Sequence, residues 1–183
     1  MKHILFIATA FPESESDFKG IFIKDYLRSI EDEFQCSIYV FRICSSKKGF
    51  SVENDSKYTV YRYSLFSHKV PRVLKLVSYP YFLFLSLYYL KKIHKPEIIH
   101  VHGALYFAGS IGLILGKKLG IPVIYTEHMG RFGQFYHNRY LRLSANWLLA
   151  RFDRITCVSS FTKSKIIAIG IPESKITIIN NRE

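Results

Sequence analysis

Apolar and polar positions along this chain fall into blocks whose period changes repeatedly. His3–Thr9 is an apolar run of strand length, and Ala10–Lys19 is a polar loop with Pro12, acids and serines. Gly20–Glu33 then switches to mostly helical spacing. Ile21, Ile23, Leu27 and Ile30 form its apolar side, with Lys24, Asp25 and Arg28 between them. Ser37–Phe41 predicts a second strand, Ser45–Ser56 a polar loop and Tyr58–Tyr63 a third strand. Val70–Lys92 is long, apolar and aromatic, which predicts a helix broken or kinked near Pro80 and punctuated by Lys95-Pro96.

The second half repeats the alternation. Ile98–Val101 is a β-branched run that predicts a fourth strand. Tyr106–Leu119 is a small-residue helix stopped by Gly120, and Pro122–Thr126 is a fifth strand. Glu127–Gln134 is a glycine-containing loop. Tyr136–Phe152 is a helix with Leu141, Ala145, Leu148 and Phe152 on one stripe. Arg154–Val158 is a sixth strand. Ser159 or Ser160 caps a helix running to Ala168, Gly170-Ile171-Pro172 ends it, and Lys175–Ile179 is a last strand.

Strands alternating with helices imply right-handed crossovers and a mostly parallel sheet. The expected fold is α/β, Rossmann-like and doubly wound, with about seven strands and helices on both faces. At 183 residues and 49% hydrophobic content the chain has the material for one domain with a sizeable core. No internal repeat or composition shift marks a boundary within residues 1–183.

Charge adds a second constraint. Lysines and arginines number 26 and acids 14, a net charge of +12. Such a balance favours anionic partners: nucleic acid, an acidic membrane surface or phosphate-bearing small molecules. A solvated basic surface that aids solubility explains it equally. Cys36, Cys44 and Cys157 are few, odd in number and scattered, which fits a reducing compartment and argues against a disulfide framework. Ile4-Leu5-Phe6-Ile7-Ala8 is too short for a signal-peptide core. The uncharged stretch Leu76–Leu90 is shorter than the roughly 20 residues that span a bilayer.

Candidate chemistry gathers where strands end. In open α/β sheets, ligands collect at the carboxyl ends of strands. Phe18-Lys19-Gly20-Ile21-Phe22 follows the first strand. A glycine at a helix start lets a ligand approach the backbone and offers N–H groups to an anion, although an ordinary turn reads the same way. No G-x-G-x-x-G or Walker-type loop is present. Glu97-Ile98-Ile99-His100-Val101-His102-Gly103 ends a strand with two histidines on one face. No third ligand stands at metal spacing, so no metal is expected; His100 reads as a core histidine and His102 as lying at a cleft mouth.

Thr126-Glu127-His128-Met129-Gly130 follows the fifth strand. His128 is the best single candidate for a catalytic or substrate-binding residue, because imidazole donates to hydroxyls and shuttles protons near neutral pH. Glu127 orients it or binds hydroxyls. Val158-Ser159-Ser160-Phe161-Thr162-Lys163 offers hydroxyls and N–H groups at a helix start, as a polar site or simply a cap. Cys157 lies in an apolar strand and reads as core rather than nucleophile.

Taken in order, these segments resemble the N-terminal domain of a glycosyltransferase of family 4, of the two-domain GT-B type. The resemblance rests on Phe11-Pro12 with Lys19-Gly20-Ile21-Phe22, on Glu97–Gly103, on Ile121-Pro122-Val123-Ile124-Tyr125-Thr126-Glu127-His128, on Ile155–Lys163 and on Gly170–Asn181. It implies an acceptor-binding domain whose donor-binding partner domain, with its Glu-x7-Glu motif, is absent from the chain. A Lys19 stands where the family commonly has a paired glycine. By position, Lys19 and Gly20 would lie near the acceptor or transferred group. His128 would act catalytically beside the donor sugar, and His102, Gly103, Glu127, Ser159 and Ser160 would line the substrate site. The resemblance further implies a UDP- or GDP-linked nucleotide sugar as co-substrate rather than a cofactor, and a saccharide or lipid-linked acceptor. It implies mostly retaining transfer in envelope polysaccharide or lipopolysaccharide synthesis. The location it implies is cytoplasmic, peripheral to the inner face of the cell membrane.

Lys69, Arg72, Lys75, Lys91 and Lys92 flank the aromatic Tyr79–Tyr89 stretch, which suits either an anionic membrane or a buried helix with snorkelling ends. Other readings are a non-catalytic binding or membrane-anchoring half of a split transferase, and a basic nucleic-acid-binding module. No nucleic acid is expected, because no RNP, helix-turn-helix or zinc-finger pattern occurs.

Overall fold

The computed structural model describes residues 1–14, 16–44, 49–55, 57–66, 84–90, 93, 95–128 and 138–179, without the side chains of residues 42–44, 65 and 66. Two compact units divide the chain, Met1–Glu97 and Ile98–Glu183.

In the first unit, β1 (Lys2–Ala8) leads through a loop to α1 (Ile21–Ile30), followed by β2 (Phe34–Cys44), β3 (Gly49–Asn54) and β4 (Tyr58–Phe66). Residues 84–90 form a further helix, α2. β1, β2 and β4 pair in parallel, with Ile4 opposite Cys36 and Cys36 opposite Tyr58. Among the described strands of this unit, β3 alone runs antiparallel, against β4. Six of the seven residues of β1 are buried, as expected of a strand covered on both faces. Ile23 and Leu27 of α1 supply its buried stripe.

The predicted polar loop Ser45–Ser56 is corrected here: residues 49–54 of it form β3. Five of these six residues are exposed. A strand at a solvated edge carries polar residues that read as loop, because it buries no apolar face. Most of Val70–Lys92 and Glu127–Gln134 lies outside the described residues.

In the second unit, β5 (Ile98–His102) passes through a π-helical turn (Leu105–Gly109) into α3 (Ser110–Leu119). Then come β6 (Val123–Glu127), α4 (Arg139–Leu149), β7 (Arg154–Cys157) and α5 (Ser160–Ala168). A 3-10 turn (Glu173–Lys175) ends the unit with β8 (Ile176–Ile178). The strand order β5-β6-β7-β8 is parallel throughout. α3 packs tightly because Gly112 and Gly116 face β5 and β6. A Cβ on Gly116 would collide with the Val123 side chain. Gly120 ends α3 in the left-handed region at φ 68°, the cap expected of it.

α4 starts at Asn138, whose side chain accepts from the N–H groups of Tyr140 and Leu141. The choice left open at α5 falls on Ser159, whose Oγ accepts from the Thr162 N–H. Cys36 and Cys157 are free, buried thiols, and Cys157 lies in the core as expected. The fold is the Rossmann-like, mostly parallel α/β fold read from the sequence, with eight strands among the described residues rather than about seven. No described helix is long and apolar enough to cross a membrane.

Candidate functional site

β5, β6 and β7 finish level. His102 pairs with Thr126 and Thr126 with Thr156, so their carboxyl ends meet along one line. The Gly103 N–H donates to the Thr126 carbonyl and fixes the exit from β5. Gly103 itself takes φ 61°, a conformation that favours glycine.

Strand alternation puts His100, His102, Thr126 and Thr156 on one face. His100 Nε2 is 2.6 Å from Thr126 Oγ1, and Thr126 Oγ1 is 2.5 Å from Thr156 Oγ1. The His100 and His102 ring centroids are 4.2 Å apart. His102 Nδ1 shares a hydrogen bond with His128 Nε2 at 2.8 Å. Three histidines and two threonines therefore make a polar seam among the buried strands of this unit.

Burial keeps this seam neutral. His100 is pushed down to about 3, first by desolvation and then by the neighbouring His128. His102 lies well below its ordinary value for the same reason, with His100 and His128 adding to it. His128, half-buried, is lowered to about 4 by desolvation. A histidine at that value is a poor proton carrier near pH 7, where a general base works best with a pKa close to the ambient pH. It remains a good neutral hydrogen-bonding group. No group of three or more histidines, cysteines or acids among the described residues is arranged to hold a metal ion.

Each expected site residue has a definite place. His102, expected at a cleft mouth, is instead buried at 3% exposure, with His128 as its partner at the strand end. Glu127, expected to orient His128 or bind hydroxyls, is also buried. Its Oε2 accepts from the Tyr125 hydroxyl at 2.5 Å on the opposite strand face, and the carboxylate raises the tyrosine pKa beyond what burial already does. Ser159 is committed to capping α5, while Ser160 is exposed in its first turn. Lys19 and Gly20 belong to the first unit. Lys19 is exposed, and its N–H donates to Asp17 Oδ1. Gly20, at φ 74°, is buried against the preceding loop, and a Cβ there would meet the Ala10 carbonyl oxygen at 2.5 Å. That contact requires glycine with or without a ligand.

Sequence reasoning missed Arg62. It is 8% exposed on β4; its Nε donates to both Glu53 oxygens at 3.0 Å, and its terminal nitrogens donate to the carbonyls of Phe11 and Pro12 at 3.1 and 2.5 Å. The signal was a lone arginine in an alternating strand, Tyr61-Arg62-Tyr63, which needs a buried partner.

The family model for Glycosyltransferase Family 4 matches residues 34–181. The chain belongs to glycosyltransferase family 4. Among solved structures it is similar to the apo form of the lipopolysaccharide outer core galactosyltransferase WaaB, at 19% identity and a TM-score of 0.64. That match covers 99% of this chain and 46% of the other. It is also similar to an α,α-trehalose-phosphate synthase (UDP-forming) from Burkholderia vietnamiensis, at 12% identity, TM-score 0.66, with 98% and 47% covered. A third is Anabaena HepE in complex with UDP and glucose, at 12% identity, TM-score 0.60, with 100% and 45% covered. At these identities the likeness is one of fold. No curated protein matches the sequence. This family member spans less than half the length of each of those structures.

Proposed function

We propose that the chain is the acceptor-side half of a glycosyltransferase that moves a sugar from a UDP- or GDP-linked donor to a saccharide or lipid-linked acceptor. The observation that carries this reading is the neutral His102–His128 pair at the level carboxyl ends of β5 and β6 in a family 4 chain. In this reading the pair forms a fixed, uncharged wall at the strand ends, with His128 Nε2 held by His102 Nδ1. Transfer of this kind depends mainly on positioning and on stabilising the charge of the departing nucleotide. This reading calls for a donor-binding half that supplies the acidic residues of the transfer. In this reading the isolated chain binds but does not turn over, and transfer retains anomeric configuration. The product belongs to envelope polysaccharide or lipopolysaccharide at the inner face of the cell membrane. Nucleotide release by the complete protein, across UDP- and GDP-sugars with saccharide and lipid-linked acceptors, tests it. Absence of release in every combination overturns it.

Peripheral membrane contact has support from α4. Tyr140, Leu143 and Trp147 share one exposed face at helical spacing, 82%, 54% and 56% exposed, with Arg139, Arg142 and Arg151 beside them. The Arg151 guanidinium stacks on the Trp147 ring at 3.4 Å. Aromatic groups flanked by arginines suit an anionic bilayer interface. Flotation with anionic liposomes tests this; failure to bind at low salt, or binding that ignores salt, overturns it.

A further inference from the structure

In the second unit, α4 is fastened to the π-helical turn that precedes α3. The Tyr106 hydroxyl donates to the Leu141 carbonyl at 3.2 Å and stands 2.8 Å from Ser144 Oγ. α3 itself is drawn down onto β5 and β6, where Gly112 and Gly116 leave no room for a side chain, and a groove remains between the two helices. Its volume is about 920 Å³, within the roughly 300–1,000 Å³ of small-molecule sites. We propose that this groove binds a free apolar organic anion, a hydrocarbon body ending in one carboxylate or phosphate.

The walls present apolar surface to water. Ile114 on α3 is 41% exposed and Trp147 on α4 is 56% exposed. Leu113, Ile121 and Pro122 join them in the lining. Such surface gains free energy when a hydrocarbon displaces water from it.

Charge selects the other end of the ligand. The lining carries two bases and one acid. Lys117 is exposed and has no carboxylate partner among the described residues. The Arg151 guanidinium rests on the Trp147 ring and donates to the Trp147 carbonyl. Both partners are neutral, so the charge of Arg151 is held in place without being cancelled. Asp153, the one acid, accepts from the Val123 N–H at 2.8 Å. An anion therefore meets attraction in the groove and a cation meets repulsion. A second copy of this chain fits poorly, since two molecules of charge +12 repel.

The groove lies beside Pro122 and Val123, where β6 begins, whereas His128 follows Glu127, where β6 ends. At roughly 3.3 Å per residue the strand holds the two places about 13 Å apart. The ligand is therefore neither the donor nor the acceptor of the proposed transfer, and the inference goes beyond that reading and beyond the bilayer contact of α4.

Trp147 is the sole tryptophan of the chain, so tryptophan emission reports this groove alone. Titration of the full chain with decanoate, below its micelle concentration, should shift that emission saturably. Octanoate should bind about tenfold more weakly, the loss of two buried methylenes. Decyltrimethylammonium should bind about fivefold or more weakly than decanoate, the size of one unit-charge contact in water. Ile114→Glu places an acid at an exposed position of the wall and should abolish the decanoate shift without lowering the melting temperature. Lys117→Gln should narrow the gap between decanoate and the ammonium. No saturable shift with decanoate, equal affinity for the ammonium, or an unaltered decanoate titration in both variants would overturn the proposal. So would an emission shift with phosphatidylglycerol vesicles and none with decanoate, which would assign Trp147 to the bilayer contact only.

Discussion

His102 Nδ1 stands 2.8 Å from His128 Nε2, with the two rings stacked at 15° and 5.1 Å between centroids. One imidazole thus fixes the orientation and tautomer of the other. In the complete enzyme, His128→Ala is expected to cut turnover at least about tenfold, roughly 1.4 kcal/mol. His102→Ala should reproduce part of that loss, and the double variant should lose no more than His128→Ala alone. Steady-state kinetics of the four proteins checks this, and additive losses would show that the histidines act separately.

Stability should depend on pH through the same seam. His100 and His128 titrate at about 3 and about 4 in the folded protein, against an ordinary 6.5. Below 6.5 the unfolded chain takes up protons that the folded chain refuses, so stability falls as pH drops from there through the two lowered values. Thermal unfolding between about pH 7.5 and about pH 4.5 should show a steadily falling midpoint. His100→Asn should flatten the slope, since it removes one titrating group.

Gly20→Ala is expected to destabilise the chain by about 1–3 kcal/mol, because a left-handed backbone and the Ala10 carbonyl oxygen both oppose a side chain there. Urea unfolding measures this. An unchanged midpoint would mean that the loop shifts freely to make room.

Ser159→Ala and Ser160→Ala separate capping from ligand binding. The first should lower stability by about 1 kcal/mol through loss of the bond to the Thr162 N–H. The second should leave stability unchanged, so any rise in the Michaelis constant for the nucleotide sugar in the complete enzyme would report contact with substrate.

Much of this was legible in the residues. The buried strands β1 and β5 read directly, because β-branched apolar runs have few other uses. Gly120 marked the end of α3 through its conformational freedom. β3 did not read, since an exposed edge strand has no apolar period. The pairing of His102 with His128 did not read either. Residues 26 apart meet only once β5 and β6 are in register, and register belongs to the sheet rather than to either segment. Arg62 escaped for a similar reason: its partners at Phe11 and Pro12 lie about fifty positions away.

That separation constrains the order in which the first unit is built. Local contacts close quickly and distant ones late, since a long loop must lose its freedom before the contact rewards it. The Phe11–Pro12 turn takes its hydrogen-bonded form only when β4 has added itself beside β2. Until then the loop after β1 lacks its anchor, so it is expected to be among the last parts of the unit to set during folding.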